Sequence, residues 1–113
     1  MTIRELAANL EAHIAQDEFD DVKLNGAYTS DLLSDVIANA KDADALITIQ
    51  AHKNTVAVAT LVNINCIIIC NKRPLPEDML KAAGDEGIAV LHTEENQFTV
   101  SGKLWEILKP QRL

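Results

Sequence analysis

Two rhythms of apolar and polar positions run along this chain, one with the period of a helix and one with the unbroken apolar runs of buried strands. Ile3, Leu6, Ala7 and Leu10 recur at helical spacing behind Thr2-Ile-Arg-Glu5, where a Thr hydroxyl and a Glu carboxylate can close the free amides of a helix start. A first helix over about 2–10 follows. Periodicity leaves Glu11 to Gln16 open between a last helical turn and a short extended piece, and Asp17 to Asp21 reads as an acidic loop. The apolar segment Val22 to Leu24 then precedes a turn at Gly26 and a second helical pattern. There Leu32, Leu33, Val36, Ile37 and Ala40 fall on one face, opposite Asp31, Ser34, Asp35, Asn39 and Lys41. This is the grammar of a strand feeding a helix that covers a sheet.

The rest of the chain repeats it. Asp42 to Asp44 makes a polar break before Ala45 to Gln50, whose β-branched residues fit a strand. Asn54 to Val62 has the Thr and Val content of a strand, but a crossover is required if its apolar neighbours are parallel, so it is expected to be a buried helix capped by Asn54. Asn65 to Cys70 shows no alternation, the mark of a strand covered on both faces and hence of the core centre. Pro74 and Pro76 punctuate a loop. Pro76-Glu-Asp then opens a helix with acids in its first turn, running to about Glu86 with Gly87 as its stop. Ile88 to Leu91 is a last short strand, and Gln97 to Leu108, with Phe98, Leu104, Trp105 and Leu108, a closing amphipathic helix. Gly102 weakens that helix and is the place where something could pack closely.

After the first helix the order is thus strand then helix, four times over, which predicts an α/β domain with a mostly parallel sheet of about four or five strands flanked by helices. With 113 residues and 48% hydrophobic content, one domain over 1–113 with one core is expected. The apolar run Cys66 to Cys70 is far short of the roughly 20 residues of a spanning helix, and no charged start precedes an apolar leader, so the expected setting is cytoplasmic.

Charge narrows the partners. The formal net charge is -7, and residues 1–21 hold Glu5, Glu11, Asp17, Glu18, Asp20 and Asp21 against Arg4 alone. Such a chain lacks the basic footprint that a phosphate backbone or an anionic membrane requires, so neither nucleic acid nor membrane is an expected partner. The acidic start reads as a solvated edge. Cys66 and Cys70 would share one face of a strand about 13 Å apart, too far for a disulfide or for joint metal ligation, and are expected to be buried and reduced.

Chemistry in a parallel sheet belongs beyond the carboxyl ends of its strands. The loops there gather Tyr28, Thr29, Ser30, Asp31, Gln50, His52, Lys53, Asn54, Asn71, Lys72, Arg73, His92 and Thr93. Thr29, Ser30 and Asp31 with His52, Asn54, Asn71, Arg73 and Thr93 are the candidate ligand-binding residues. Helix-start amides with Lys72 and Arg73 are suited to a phosphate or carboxylate. Capping competes with this role at Ser30 and Asp31. His13 reads as an ordinary surface or boundary histidine.

Known catalytic patterns are missing from the sequence. Glycines 26, 84, 87 and 102 form neither a phosphate-gripping P-loop nor a dinucleotide turn, and no zinc spacing or nucleophile elbow occurs. No catalytic residue, cofactor or metal is therefore assigned.

The stretch from Val22 to Lys41, above all Ser30-Asp-Leu-Leu-Ser-Asp-Val with Ala38-Asn-Ala-Lys41, is followed by Ile47-Thr-Ile-Gln50, His52, Asn54 and Ala57-Val-Ala59. Ile67-Ile-Ile69, Pro76-Glu-Asp78, Gly87-Ile88 and His92-Thr93 complete a pattern that resembles the DRTGG-domain proteins over nearly the whole chain. Those domains are similar to the N-terminal domain of HPr serine kinase/phosphorylase. The resemblance implies a three-layer α/β fold, a non-catalytic regulatory or ligand-sensing role and a homodimer. Its stand-alone relatives imply a second reading, an accessory subunit docking on an anaerobic redox or hydrogenase enzyme through an apolar surface near Phe98 and Trp105. The signature Asp-Arg-Thr-Gly-Gly is absent, its place taken approximately by Ala51-His-Lys-Asn-Thr55. The expected ligand is a small anionic metabolite or nucleotide at the carboxyl edge. A small phosphotransfer or hydrolytic enzyme using His52 or His92 ranks last.

Overall fold

The computed structural model describes residues 1–41 and 43–108. Helix α1 (Ile3–Leu10) starts as its sequence demands. Thr2 Oγ1 accepts from Glu5 N, Glu5 Oε1 accepts from Thr2 N, and Ile3, Leu6, Ala7 and Leu10 are buried. The segment that periodicity left open is extended, as β1 (His13–Gln16). Then come β2 (Ala27–Thr29), α2 (Leu33–Asn39), β3 (Ala45–Thr48), α3 (Lys53–Leu61), β4 (Cys66–Ile69), α4 (Glu77–Glu86), β5 (Ala89–His92) and α5 (Gln97–Leu108).

The five-stranded sheet has the order β1-β5-β4-β3-β2. The pairings β2–β3, β3–β4 and β4–β5 are parallel, while β1 lies antiparallel on β5 with a register shift between Ile14 and Gln16. Side chains alternate across β4, so Cys66, Ile68 and Cys70 join the core under α1 and α5, and Ile67 and Ile69 join that under α2, α3 and α4. The fold is therefore three-layered, and β4, with all four residues buried, is its centre.

Four expectations need correction. Val22 to Leu24 is no sheet strand: Val22 O accepts from Ile3 N, Leu24 N donates to Met1 O, and Lys23 bridges to Thr2. Its pairing groups are engaged by the chain start, so the sheet takes Ala27–Thr29 instead and Gly26 precedes the strand. Second, the apolar face of α2 is only half covered. Val36 and Ala40 are buried, whereas Leu32 and Ile37 stay 64% and 43% exposed. Third, Asn54 is not the cap of α3; His52 is, its Nδ1 accepting from Asn54 N at 3.0 Å. Fourth, Pro76 sits at the cap position rather than inside α4.

The closing aromatics are on the surface, Phe98 at 87% and Trp105 at 48% exposure. The acidic loop is strapped to α1: Arg4 N donates to Asp21 Oδ1, Arg4 Nη2 to Asp17 O, and the Arg4 guanidinium lies 4.5 Å from the centre of the Phe19 ring. Among the described residues no helix is long and apolar enough to cross a membrane.

Candidate functional site

The carboxyl ends of β2 to β5 converge on one edge, and β2 supplies its most connected residue. Ser30 makes a local turn, its Oγ accepting from Leu32 N at 3.2 Å, and Leu32 holds the cap position of α2 without a side-chain cap bond. Neither Ser30 nor Asp31 is a helix cap. Asp31 Oδ1 instead accepts from Thr48 Oγ1 at 2.9 Å, Ile49 N at 2.9 Å and Gln97 Nε2 at 3.1 Å, and Asp31 O accepts from Gln50 Nε2. The same Gln97 amide reaches Thr29 Oγ1 at 3.4 Å. One carboxylate thus joins the end of β2, the end of β3 and the start of α5.

At β3 the chain turns sharply into α3. Thr48 Oγ1 accepts from Gln50 N and Thr55 Oγ1 donates to Gln50 O at 2.7 Å, which ties the loop 49–52 to the helix it feeds. His52 Nδ1 is taken by its cap bond, to which Asn54 contributes its backbone amide. The loop 49–52 is therefore organised by bonds between side chains and backbone. Gln97 and Thr48 were read from sequence only as a helix residue and a β-branched strand residue. Their contacts join residues 66 and 17 positions apart, a relation that periodicity does not carry.

Between β4 and α4 lies the least ordinary backbone of the chain. Asn71 and Lys72 both have positive φ, 59° and 49°, and Arg73 N donates back to Cys70 O. Left-handed backbone is rare for a lysine, and surrounding bonds hold it here. Asn71 N donates to Glu95 O, Lys72 N to Thr93 O, and His92 Nε2 lies 2.8 Å from Arg73 O, which requires the ring to donate there. Asn71, Arg73 and Thr93 are thereby brought together after β4 and β5, two to three strand positions away from Thr29, Ser30 and Asp31, or about 10–14 Å by sheet spacing.

A cavity of about 500 Å³ opens beside this turn, with His13, Lys72, His92, Thr93, Glu95 and Lys103 among its walls. His13 and His92 face one another across the β1–β5 ladder. Lys103 Nζ is held by both Glu95 oxygens, at 2.8 and 2.9 Å, while Lys72 and Arg73 are exposed and make no ion pair among the described residues. Beneath them Cys70 is buried, and that burial, with Asp31 and Glu95 adding to it, pushes its thiol up to about 11; burial alone pushes Cys66 to about 12. Both are neutral thiols, poor nucleophiles and poor ligands. Among the described residues no cluster of three or more His, Cys, Asp or Glu is placed to hold a metal.

A polar chain also runs along the other face of β2. Tyr28 Oη donates to Asp35 Oδ2 and Asn39 Nδ2 to Asp35 Oδ1, both at 2.8 Å. The Asn39, Tyr28 and Ser30 bonds hold the Asp35 carboxyl below its ordinary range, and the bond to Asp35 holds the Tyr28 phenol above its own.

With this geometry in hand, likeness to known proteins is narrow. No family model and no curated protein matches the chain. A solved structure does. The crystal structure of the CBS and DRTGG domains of the regulatory region of Clostridium perfringens pyrophosphatase, complexed with the activator diadenosine tetraphosphate, aligns with a TM-score of 0.72 and 13% identity. The alignment covers 91% of this chain and 45% of that one, so the chain spans under half of that structure. The likeness is one of fold, to part of that CBS and DRTGG structure.

Proposed function

We propose that this chain is a non-catalytic regulatory domain of DRTGG type that senses a small anionic ligand at the carboxyl edge of its sheet. The kinship to the N-terminal domain of HPr serine kinase/phosphorylase and the homodimer belong to this reading. The observation that carries it is the left-handed turn at Asn71 and Lys72. It holds two cations that make no ion pair among the described residues beside Thr93 and His92, in an otherwise acidic chain. Strained backbone fixed by its neighbours is a common device at ligand sites. Thr93 offers a hydroxyl and Lys72 a charge in the wall of the cavity of about 500 Å³, which Glu11, Glu94 and Glu95 also line, and Arg73 adds forked donors next to Lys72 in the chain. Asp31 is an acceptor already engaged three times, so it shapes this edge and does not touch an anion. That the solved neighbour is a regulatory region bound to a nucleotide activator supports the same class of role.

Thermal unfolding against a panel of inorganic phosphate, sugar phosphates, nucleotides and short carboxylates tests it. A ligand that binds only the folded chain adds about 2.7 kcal/mol at 100 times its Kd. A saturable rise lost in Lys72→Ala or Arg73→Ala supports the reading, and sedimentation of the purified chain checks the dimer. A flat panel overturns it.

A second reading has its own observation. Phe98, at 87% exposure, and Trp105 leave apolar surface on the outer side of α5, as an accessory subunit docking on a redox or hydrogenase enzyme would require. Loss of a co-purifying redox enzyme in Phe98→Ser would favour it.

A further inference from the structure

The sheet ends at β2, and that edge is walled on both faces. Gly26 O accepts from Asp44 N and Ala45 N, and Ser30 N donates to Ile47 O, so positions 26, 28 and 30 pair with β3. By the alternation of a parallel ladder the N–H and C=O of Ala27 and Thr29 point away from it, and no strand lies beyond among the described residues. A cleft of about 380 Å³ follows this edge, between Asn39 and Ala40 on the α2 side and Ser101, Leu104 and Trp105 of α5.

Three observations define its occupant. Among the described residues no charged one lines the cleft, so a charged guest group would lose its hydration without a counter-charge from them. Ala27 C=O and Thr29 N–H, two residues apart on one edge, form an acceptor and donor pair that complements a ring edge carrying an amino group beside a bare ring nitrogen. Finally, Ser101 Oγ is buried with no hydrogen-bond partner among the described residues, and such an atom is destabilising until something meets it. β2 offers only two outward-facing residues, too few to hold an added peptide strand, whereas a flat ring needs no more.

We infer that this cleft binds the uncharged base of an amino-substituted nucleoside, of which adenosine is the simplest two-ring case. The ring edge pairs with Ala27 C=O and Thr29 N–H, its face lies against Trp105, and the Ser101 hydroxyl meets a further polar atom of the base. The inference stands apart from the anion reading, because it uses none of Lys72, Arg73 or Thr93.

Trp105 is the one tryptophan of the chain, so its fluorescence reports on the cleft directly. Adenosine is expected to quench it saturably. N6,N6-dimethyladenosine, which keeps the ring and charge but lacks the amino donor, is expected to bind at least tenfold more weakly to the same unaltered protein. Ser101→Ala and the edge variant Thr29→Pro, which removes the outward N–H together with the Thr29 hydroxyl, are expected to weaken adenosine by a similar factor while circular dichroism stays unchanged, and Thr29→Ala, which loses the hydroxyl alone, is expected to bind as the unaltered chain does. Absence of saturable quenching by adenosine at millimolar concentration, or equal binding of the dimethyl analogue, overturns the proposal. Since adenosine carries no charge, either result leaves the phosphate and carboxylate panel to be read by itself.

Discussion

Asp31 and Gln97 lie 66 residues apart in the chain and 3.1 Å apart in the structure, joining the end of the edge strand β2 to the first residue of the closing helix α5. The carboxylate oxygen that Gln97 reaches is the one that also takes the Thr48 hydroxyl and the Ile49 amide. The ends of β2 and β3 and the start of α5 therefore meet at one oxygen atom.

Removing that atom should be felt as stability. Asp31→Ala leaves the buried Thr48 hydroxyl and the Ile49 amide without their acceptor, and hydrogen bonds to a charged group are each worth about 1.5–3 kcal/mol. Because Asp31 is half-buried, we expect a total loss of about 2–3 kcal/mol in urea unfolding, with Asp31→Asn losing less since its amide oxygen still accepts. Gln97→Ala should cost about 1 kcal/mol and should not add to Asp31→Ala, because the two share one bond.

How much of this was legible follows from where the information lies. The strands β3, β4 and β5, the capping box at Thr2, the stop at Gly87 and the bounds of α5 rest on local spacing, and the chain carries them openly, whereas α3 was legible only through the crossover that parallel strands require. The first strand was misplaced because Val22 to Leu24 is as apolar as a strand, and only the chain start, which takes up its amides and carbonyls, distinguishes it from Ala27–Thr29. The antiparallel β1 was illegible for the reason that four residues carry too little periodicity. At the candidate site, the residue types of the loops were readable, but whether Asp31 caps a helix or bridges strands depends on Thr48 and Gln97, both remote in sequence. Phe98 and Trp105 share the helical pattern of α5 with the buried Leu104, and helical phase places them on its outer side.

Two glycines should respond in opposite directions to one substitution. Gly87 ends α4 with φ at +68° and nothing within 4 Å of an added Cβ, so Gly87→Ala is strained by backbone alone and should lose about 1 kcal/mol. Gly102 is helical with equally open space around it, and Gly102→Ala should gain about 0.5–1 kcal/mol through helix propensity. Thermal unfolding of the pair checks both signs.

The cap at His52 makes a third case. Ala at this position removes the acceptor of the Asn54 amide and should cost about 0.5–2 kcal/mol, whereas His52→Ser supplies a better cap and should recover it. If His52 serves only as a cap, His52→Ser should leave every ligand response unchanged.

Thiol titration gives a pH dependence with a definite sign. Cys66 and Cys70 are raised to about 12 and about 11 by burial, above the ordinary thiol value of about 8.5 in the unfolded chain. Between those values the unfolded chain has released its thiol protons and the folded one has not, so it is folding that binds them and stability falls as pH rises. The contribution is intact below about pH 8.5 and declines from there through about 11, and Cys66→Ala, Cys70→Ala should flatten this slope even if it lowers stability throughout. A neutral-pH alkylation assay should label neither residue until the chain unfolds.

Tyr28 permits the sharpest test, since it is the one tyrosine in the chain and its ultraviolet titration reads a single group. Its phenol donates to Asp35, so ionising it sets two negative oxygens 2.8 Å apart, and the midpoint should lie above 10. In Asp35→Asn the carboxylate is gone and the midpoint should return toward 10. At the acid end the sign reverses. Asp35 is held low by Asn39, Tyr28 and Ser30, so its contribution is present above the ordinary aspartate value and is lost as pH falls through its lowered one. Tyr28→Phe should shrink that acid-side loss by removing one of the bonds to Asp35. A Tyr28 midpoint at 10 in the unaltered chain would mean that the bond seen between these two side chains does not persist in solution.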